Sequence, residues 1–161
     1  MRYIVIILFL FVFGLTKGQY FNNGYDYGGY YDFGLSIVEI PDGYLSVGVC
    51  RDSLYRRGIC MFKIDFDGDQ VWKKIFLNPT DSFYFEGGTS GFIKTSDGGF
   101  ALGGSIVDTN QYYNAMLYRF DENGDSLWFK SYPSSKHQVG YQCKQTIDGG
   151  FIIVGSEKPS P

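Results

Sequence analysis

Residues Ser36–Phe76 read SIVEIPDGYLSVGVCRDSLYRRGICMFKIDFDGDQVWKKIF, and Gly91–Tyr132 read GFIKTSDGGFALGGSIVDTNQYYNAMLYRFDENGDSLWFKSY. Laid over one another, they match Asp42-Gly43-Tyr44 to Asp97-Gly98-Gly99-Phe100, Gly48 to Gly103, Asp65 to Asp121, Gly68 to Gly124 and Trp72 to Trp128. A third copy opens at Cys143, carries Asp148-Gly149-Gly150-Phe151 and runs to Gly155. The Asp-Gly element recurs after 55 and then 51 residues, and the tryptophan after 56. A period of roughly 40–55 residues built from short strands marks the blades of a propeller. The fold expected is all-β, with four-stranded antiparallel propeller-type blades in about two and a half repeats, an incomplete propeller.

The punctuation of each copy sets its strands. Strand one spans 36–40, 91–95 and 142–146, and a tight Asp-Gly turn follows each time. Aspartate closes such a turn with its own side chain, and glycine supplies the positive φ that a short hairpin needs. Strand two (44–49, 100–105, 151–156) carries Gly48, Gly103, Gly104 and Gly155, which points to close backbone approach. Strand three (59–65, 115–121) is apolar on both faces and so is expected to be buried on both. Strand four (70–76, 126–132) carries Lys73, Lys74 and Lys130, as suits an outer edge. Cys143 aligns with Ile37 and Phe92, all three expected in the core. The aromatic, glycine-rich stretch 20–34 reads either as a crossover packed on adjacent sheets or as a sticky surface for carbohydrate or protein.

Ahead of the repeats, Met1-Arg2 precedes the uncharged apolar run Tyr3–Phe13, and Thr16 and Gly18 place small residues before Gln19. This is the pattern of a signal peptide over 1–18. The run is shorter than the roughly 20 residues of a membrane span; an uncleaved N-terminal anchor is the alternative. The division that follows is 1–18 signal peptide, 19–35 lead-in, 36–90 first blade and connection, 91–141 second blade and connection, and 142–161 partial third blade. The expected location is outside the cell or at its surface, or in the periplasm, with no membrane span after cleavage.

The whole chain has 14 basic and 17 acidic residues, and no basic cluster longer than a pair, so no nucleic-acid partner is expected. Three cysteines in an exported protein raise a disulfide, with Cys50 and Cys60 as the candidate pair across a hairpin; two separate buried thiols are the alternative. Asp65, Asp67, Asp69, Asp121, Asn123 and Asp125 look at first like calcium loops. An EF-hand loop, however, has glycine sixth and glutamate twelfth, whereas here glycine is fourth and the twelfth residues are Phe76 and Tyr132. These residues are expected to form hairpin turns, with an exposed Ca2+ site as the remaining metal candidate and no other cofactor. His137, the one histidine, lies in a connection without a patterned nucleophile, so no catalytic set is read. Trp72, Trp128, Asp42, Asp97, Asp148, Gly68 and Gly124 are assigned to the architecture of the repeat, each tryptophan plugging a seam between blades.

Lys63-Ile-Asp65-Phe-Asp-Gly68-Asp-Gln-Val-Trp72, its partner Tyr118–Trp128, and Thr95-Ser-Asp97-Gly-Gly-Phe100-Ala-Leu-Gly103 together resemble the repeat of secreted β-propeller proteins of Bacteroidetes. Those proteins often end in a sorting domain of the type IX secretion system. The Asp…Gly…Trp element is also similar to the tryptophan-docking motif of quinoprotein propellers, with one residue fewer between Asp and Gly. No residues match a quinone site. The resemblance covers about residues 27–156 and is specific for architecture, not for function. The function expected from the whole reading is a secreted, non-enzymatic repeat module that binds or scaffolds through an unknown protein or carbohydrate partner. Alternatives are a non-catalytic fragment of a longer secreted propeller protein and an extracellular hydrolase or lyase subunit. Two and a half blades leave faces and edges open, so self-association or further blades are expected.

Overall fold

A computed structural model describes residues 21–26, 28, 31–78, 82–84 and 91–158. The signal peptide read over 1–18 lies outside them. The chain is all-β, with antiparallel pairing throughout. Four strands, β1 (Phe33–Ile40), β2 (Gly43–Arg51), β3 (Arg57–Ile64) and β4 (Gln70–Phe76), pair in chain order to form the first sheet. The second sheet runs β5 (Ser82–Tyr84), β7 (Phe100–Val107), β8 (Tyr113–Phe120), β9 (Ser126–Tyr132), and β6 (Phe92–Lys94) also pairs with β7. The third is a hairpin of β10 (His137–Gln145) and β11 (Phe151–Lys158).

One departure from the expected strands is β5. In the first and third sheets the opening strand is continuous across a register shift, between Gly34 and Ser36 and between Gly140 and Gln142. In the second sheet that edge of β7 is shared: β6 pairs with its first half and β5 with its last. The chain between Tyr84 and Gly91 is four residues longer than the equivalent Val139–Gln142 step, and the strand is split where the others only bulge.

The sheets stack face to face. Leu45, Val47, Val49, Ile59 and Met61 on one face of the first sheet close against Phe92, Phe100, Leu102, Met116 and Phe120 of the second, all buried. The opposite face of the second sheet presents Ala101 and Leu117 to Cys143 of the third. The opposite face of the first sheet, Cys50, Cys60, Phe62 and Ile64, is covered by Phe21 and Tyr25. Strand three is thus buried on both faces, as its sequence predicts.

Position in the stack corrects two expectations. Ile37 is equivalent to buried Phe92 and Cys143 yet is 57% exposed, because this position points to the preceding sheet and the first sheet has none among the described residues. The tryptophans differ for the complementary reason. The tip of the Trp72 ring lies where a Cβ on Gly124 would come to 2.8 Å, so that buried glycine (φ +73°) seats the indole of the sheet before it. Phe21 sits on Gly68 in the same way. Trp128 meets Phe151 edge-on at 6.2 Å and is 42% exposed, so among the described residues it plugs no seam.

The Cys50–Cys60 bridge is likewise not formed: both thiols are free and buried, as is Cys143. Register is the cause, since Cys50 lies opposite Gly58 and Cys60 opposite Gly48. Diagonal neighbours stand roughly 7–8 Å apart, beyond the usual disulfide span of about 4.4–6.8 Å. A hydrogen bond with Cys50, then burial, pushes the Cys60 thiol up. Burial pushes Cys143 up to about 11, and its Sγ donates to the Gly91 carbonyl at 3.1 Å.

Two outcomes follow from this stacking. Trp72→Ala lowers stability by about 2–4 kcal/mol in denaturant unfolding, whereas Trp128→Ala costs under about 1 kcal/mol; equal losses would refute the seam assignment. Alkylation without reductant leaves the three thiols unlabelled in the folded protein and labels all three after unfolding; a species labelled once would restore the bridge.

Candidate functional site

Aspartate recurs in one loop design, four times among the described residues. Asp65 Oδ1 accepts from the amides of Asp67 (3.0 Å) and Asp69 (2.8 Å), and Asp121 Oδ1 accepts from Asn123 (2.9 Å) and Asp125 (2.8 Å). Between strands two and three, Asp52 does the same for Leu54 and Arg56, and Asp108 for Asn110 and Tyr112. The fourth loop residue takes positive φ in each: Gly68, Gly124, Tyr55 (φ 60°) and Gln111 (φ 66°). The carboxylate stands in for a turn of backbone. This is where the Ca2+ candidates lie: Asp65 and Asp121 each have one carboxylate oxygen committed to two amides, and Asp125 accepts from Lys74 at 2.6 Å. No group of three or more His, Cys, Asp or Glu suited to a metal ion occurs among the described residues.

The strand one–two turns use aspartate differently. In the second and third sheets, Thr95 and Thr146 hydroxyls donate to Asp97 and Asp148 at 2.5 Å, and the Gly99 and Gly150 amides donate to the same carboxylates. In the shorter first turn Asp42 is instead paired to Lys63 at 2.6 Å. The matching residue of the second sheet is Arg119, 4% exposed. Its guanidinium donates to Asp97 Oδ2 (2.6 Å), Thr95 Oγ1 (2.8 Å) and the Phe100 carbonyl (2.6 Å), and lies 5.4 Å from the Phe151 ring centre. Sequence reasoning missed this residue; the signal was a base two residues before the loop aspartate in both copies.

Between the first two sheets, at the end carrying these turns, opens a cleft of about 640 Å³ lined by Asp42, Lys63, Trp72, Lys94, Thr95 and Glu122 among others. The stacking that builds the core also makes this cleft, because the first sheet brings one turn to its lining (Ile40–Asp42) and the second brings two (Thr95 and Gly98, Glu122 and Asn123). Next to Trp72, the Lys74 Nζ lies 4.8 Å from the indole ring centre and donates to the Asn123 carbonyl (2.9 Å) and Asp125. On its outer strand it is therefore also a strut between sheets. The Lys63 hydrogen bond holds the Asp42 carboxyl below its ordinary range. The Thr95 hydroxyl foremost, then the Gly99 amide and Arg119, do the same for Asp97. The cleft thus offers an indole beside the paired Asp42 and Lys63, with Lys94 and Glu122 also on its lining.

His137 is not a loop residue. It begins β10, half-buried, with Nδ1 accepting from the Tyr113 amide at 3.2 Å and its ring 5.4 Å from that of Tyr112. That contact ties the third sheet to the second.

The turn aspartates carry an acid dependence. Asp42, Asp97 and Asp148 are all lowered. Asp108 is lowered too: burial acts to raise it, but the Tyr112 amide, the Asn114 side chain and the Asn110 amide outweigh that. A carboxyl whose folded pKa lies below the unfolded value stabilises above the unfolded value of about 3.9 and loses that contribution as pH falls through the folded value. Melting temperature is therefore level above about pH 5 and falls below about pH 4. Asp97→Asn shallows that fall; an unchanged acid limb in this variant would show that the turn does not carry it. In comparisons with known proteins, no protein-family profile and no curated protein matches the chain.

Proposed function

We propose that this protein is a secreted, non-enzymatic repeat module of the β-propeller type that binds a carbohydrate or protein ligand at the cell surface or outside the cell. The observation that carries the reading is the cleft between the first two sheets. It sets the Trp72 indole beside Asp42, Lys63, Lys94 and Glu122. An aromatic face stacks on the apolar face of a sugar ring or a peptide side chain, and charged groups beside it supply orienting hydrogen bonds. Lys63 holds the Asp42 carboxyl low, and the Thr95 hydroxyl, the Gly99 amide and Arg119 together do so for Asp97, a use of carboxylates that favours holding over proton transfer. The propeller reading draws on the stacking of antiparallel sheets in a repeat of about 50 residues, with glycines at the contacts between strands.

A glycan array and a library of extracellular-matrix peptides, read by tryptophan fluorescence, test this. A saturable ligand is expected whose affinity falls at least fivefold in Lys94→Ala, an exposed substitution that leaves the fold intact. Turnover of ester, glycoside or uronate substrates that is lost in Asp42→Asn would overturn the non-enzymatic reading in favour of a hydrolase or lyase.

A further inference from the structure

Three of the chain's five arginines fall within seven residues, at positions 51, 56 and 57, and the fold sets two of them side by side. Arg51 closes β2 and Arg57 opens β3, and the two are direct partners in the register. Each continues a row of side chains that meets the second sheet, Leu45, Val47 and Val49 on one strand and Ile59 and Met61 on the other. Alternation along a strand therefore turns both arginines the same way, toward that sheet. Both are half-buried. Like charges directly opposite one another destabilise a strand pair, and the repeat does not require them: the equivalent closing pair of the second sheet is Val107 and Tyr113. Among the described residues the nearby carboxylates are otherwise engaged. Asp52 is taken by Arg56, and Asp108 gives Oδ1 to the Asn110 and Tyr112 amides and Oδ2 to Asn114.

The two arginines line a cavity of about 390 Å³, at the opposite end of the seam from the Trp72 cleft. Its lining also includes Ser82, Thr109 and Gln111, which bear hydroxyl and amide groups. A second observation points to the same place. Tyr55 and Gln111, the fourth residues of the two loops between strands two and three, both line this cavity and both hold left-handed backbone, at φ 60° and 66°. In the other two aspartate loops that position is Gly68 or Gly124, and glycine takes the conformation without strain. Strained non-glycine residues gather at ligand sites, and here both copies of the loop carry one at the cavity.

We propose that this cavity binds a tetrahedral oxyanion, a sulfate or phosphate ester, carried on a polysaccharide. Guanidinium groups present planar forks of donors matched to oxyanions. A carboxylate has two oxygens and is filled by one fork, whereas a sulfate or phosphate ester has three terminal oxygens and can meet both. An anion held between Arg51 and Arg57 also relieves the repulsion between them. The surrounding hydroxyl and amide groups suit the hydroxyls of an attached sugar; a peptide calls instead for pockets that take alternate side chains. The chain's net charge is −3, so attraction for an anion is local to this end of the seam and not general to its surface. The site is separate from the Trp72 cleft, and either reading can fail alone.

Dextran oligosaccharides carrying sulfate, phosphate or carboxymethyl groups, and a phosphoserine peptide, are titrated into the whole protein at fixed salt and read by calorimetry. Saturable binding of an esterified oligosaccharide is expected, at least tenfold tighter than of the carboxymethyl form, and comparison of the two esters identifies the anion. Affinity falls at least tenfold in Arg51→Gln, and also in Arg51→Lys, which keeps the charge but loses the fork. Lys144→Gln, an exposed change on the third sheet, leaves it unaltered. Without ligand, Arg51→Gln melts no lower than the parent, because it removes one of two opposed charges; a lower melting temperature would mark the arginine as structural. Absence of saturable binding, full affinity in Arg51→Lys, or an equal loss in Lys144→Gln would overturn the proposal. So would tighter binding of the phosphoserine peptide than of either esterified oligosaccharide.

Discussion

The seam between the first two sheets is the interaction on which the rest depends. Strands β2, β3, β7 and β8 are apolar on both faces, and a sheet of that kind has no face to give to water. Leu45, Val47, Ile59 and Met61 are dry only because Phe92, Phe100, Leu102, Met116 and Phe120 close over them. The same requirement is met at the second seam by Cys143 and at the first sheet's other face by Phe21 and Tyr25. The segment ahead of the repeats is thus used as a cap, packed where a preceding sheet would stand. Where no neighbouring sheet stands among the described residues, apolar side chains remain in solvent: Ile37 on the first sheet, Ile152 and Val154 on the third.

Close stacking puts a demand on the loops, and the aspartates answer it. Gly68 and Gly124 are buried beneath an aromatic ring, so the loops that carry them must hold one shape. A carboxylate taking two amide hydrogens supplies that rigidity locally, without help from the rest of the fold. The residues most suggestive of metal binding are therefore the ones most occupied with backbone. Lys74 joins the two levels by bonding the loop of one sheet from the strand of another, and the cleft beside it is a consequence of that junction.

Much of this was legible in the residues. Repeat spacing located the strands, the turn aspartates and the positive-φ glycines, because these depend on interactions within a few residues. Burial of strand three on both faces followed from its composition. What misled was the assumption that equivalent positions share an environment. Trp72 and Trp128 hold equivalent positions in similar local sequences, yet Trp72 is half-buried and Trp128 exposed; Phe92 and Ile37 differ more sharply, one buried and one exposed. The repeat puts His137 in a connection between copies, yet it begins β10 and its Nδ1 is held by an amide 24 residues away. Arg119 escaped notice because nothing local requires a buried base: its partners come from the turn on the far side of β7.

By itself, then, the sequence determined the repeat, the strands within it and the hydrogen bonding of its turns, since each rests on short-range geometry that the residue types impose. The tertiary structure alone decided which copy of each position is covered. It left Cys50 and Cys60 as diagonal neighbours rather than a bridge, built the cleft around Trp72, and left Trp128 exposed. Those outcomes turn on strand register and on where a sheet stands in the stack, and a repeat encodes the same residues whether or not it has a neighbour.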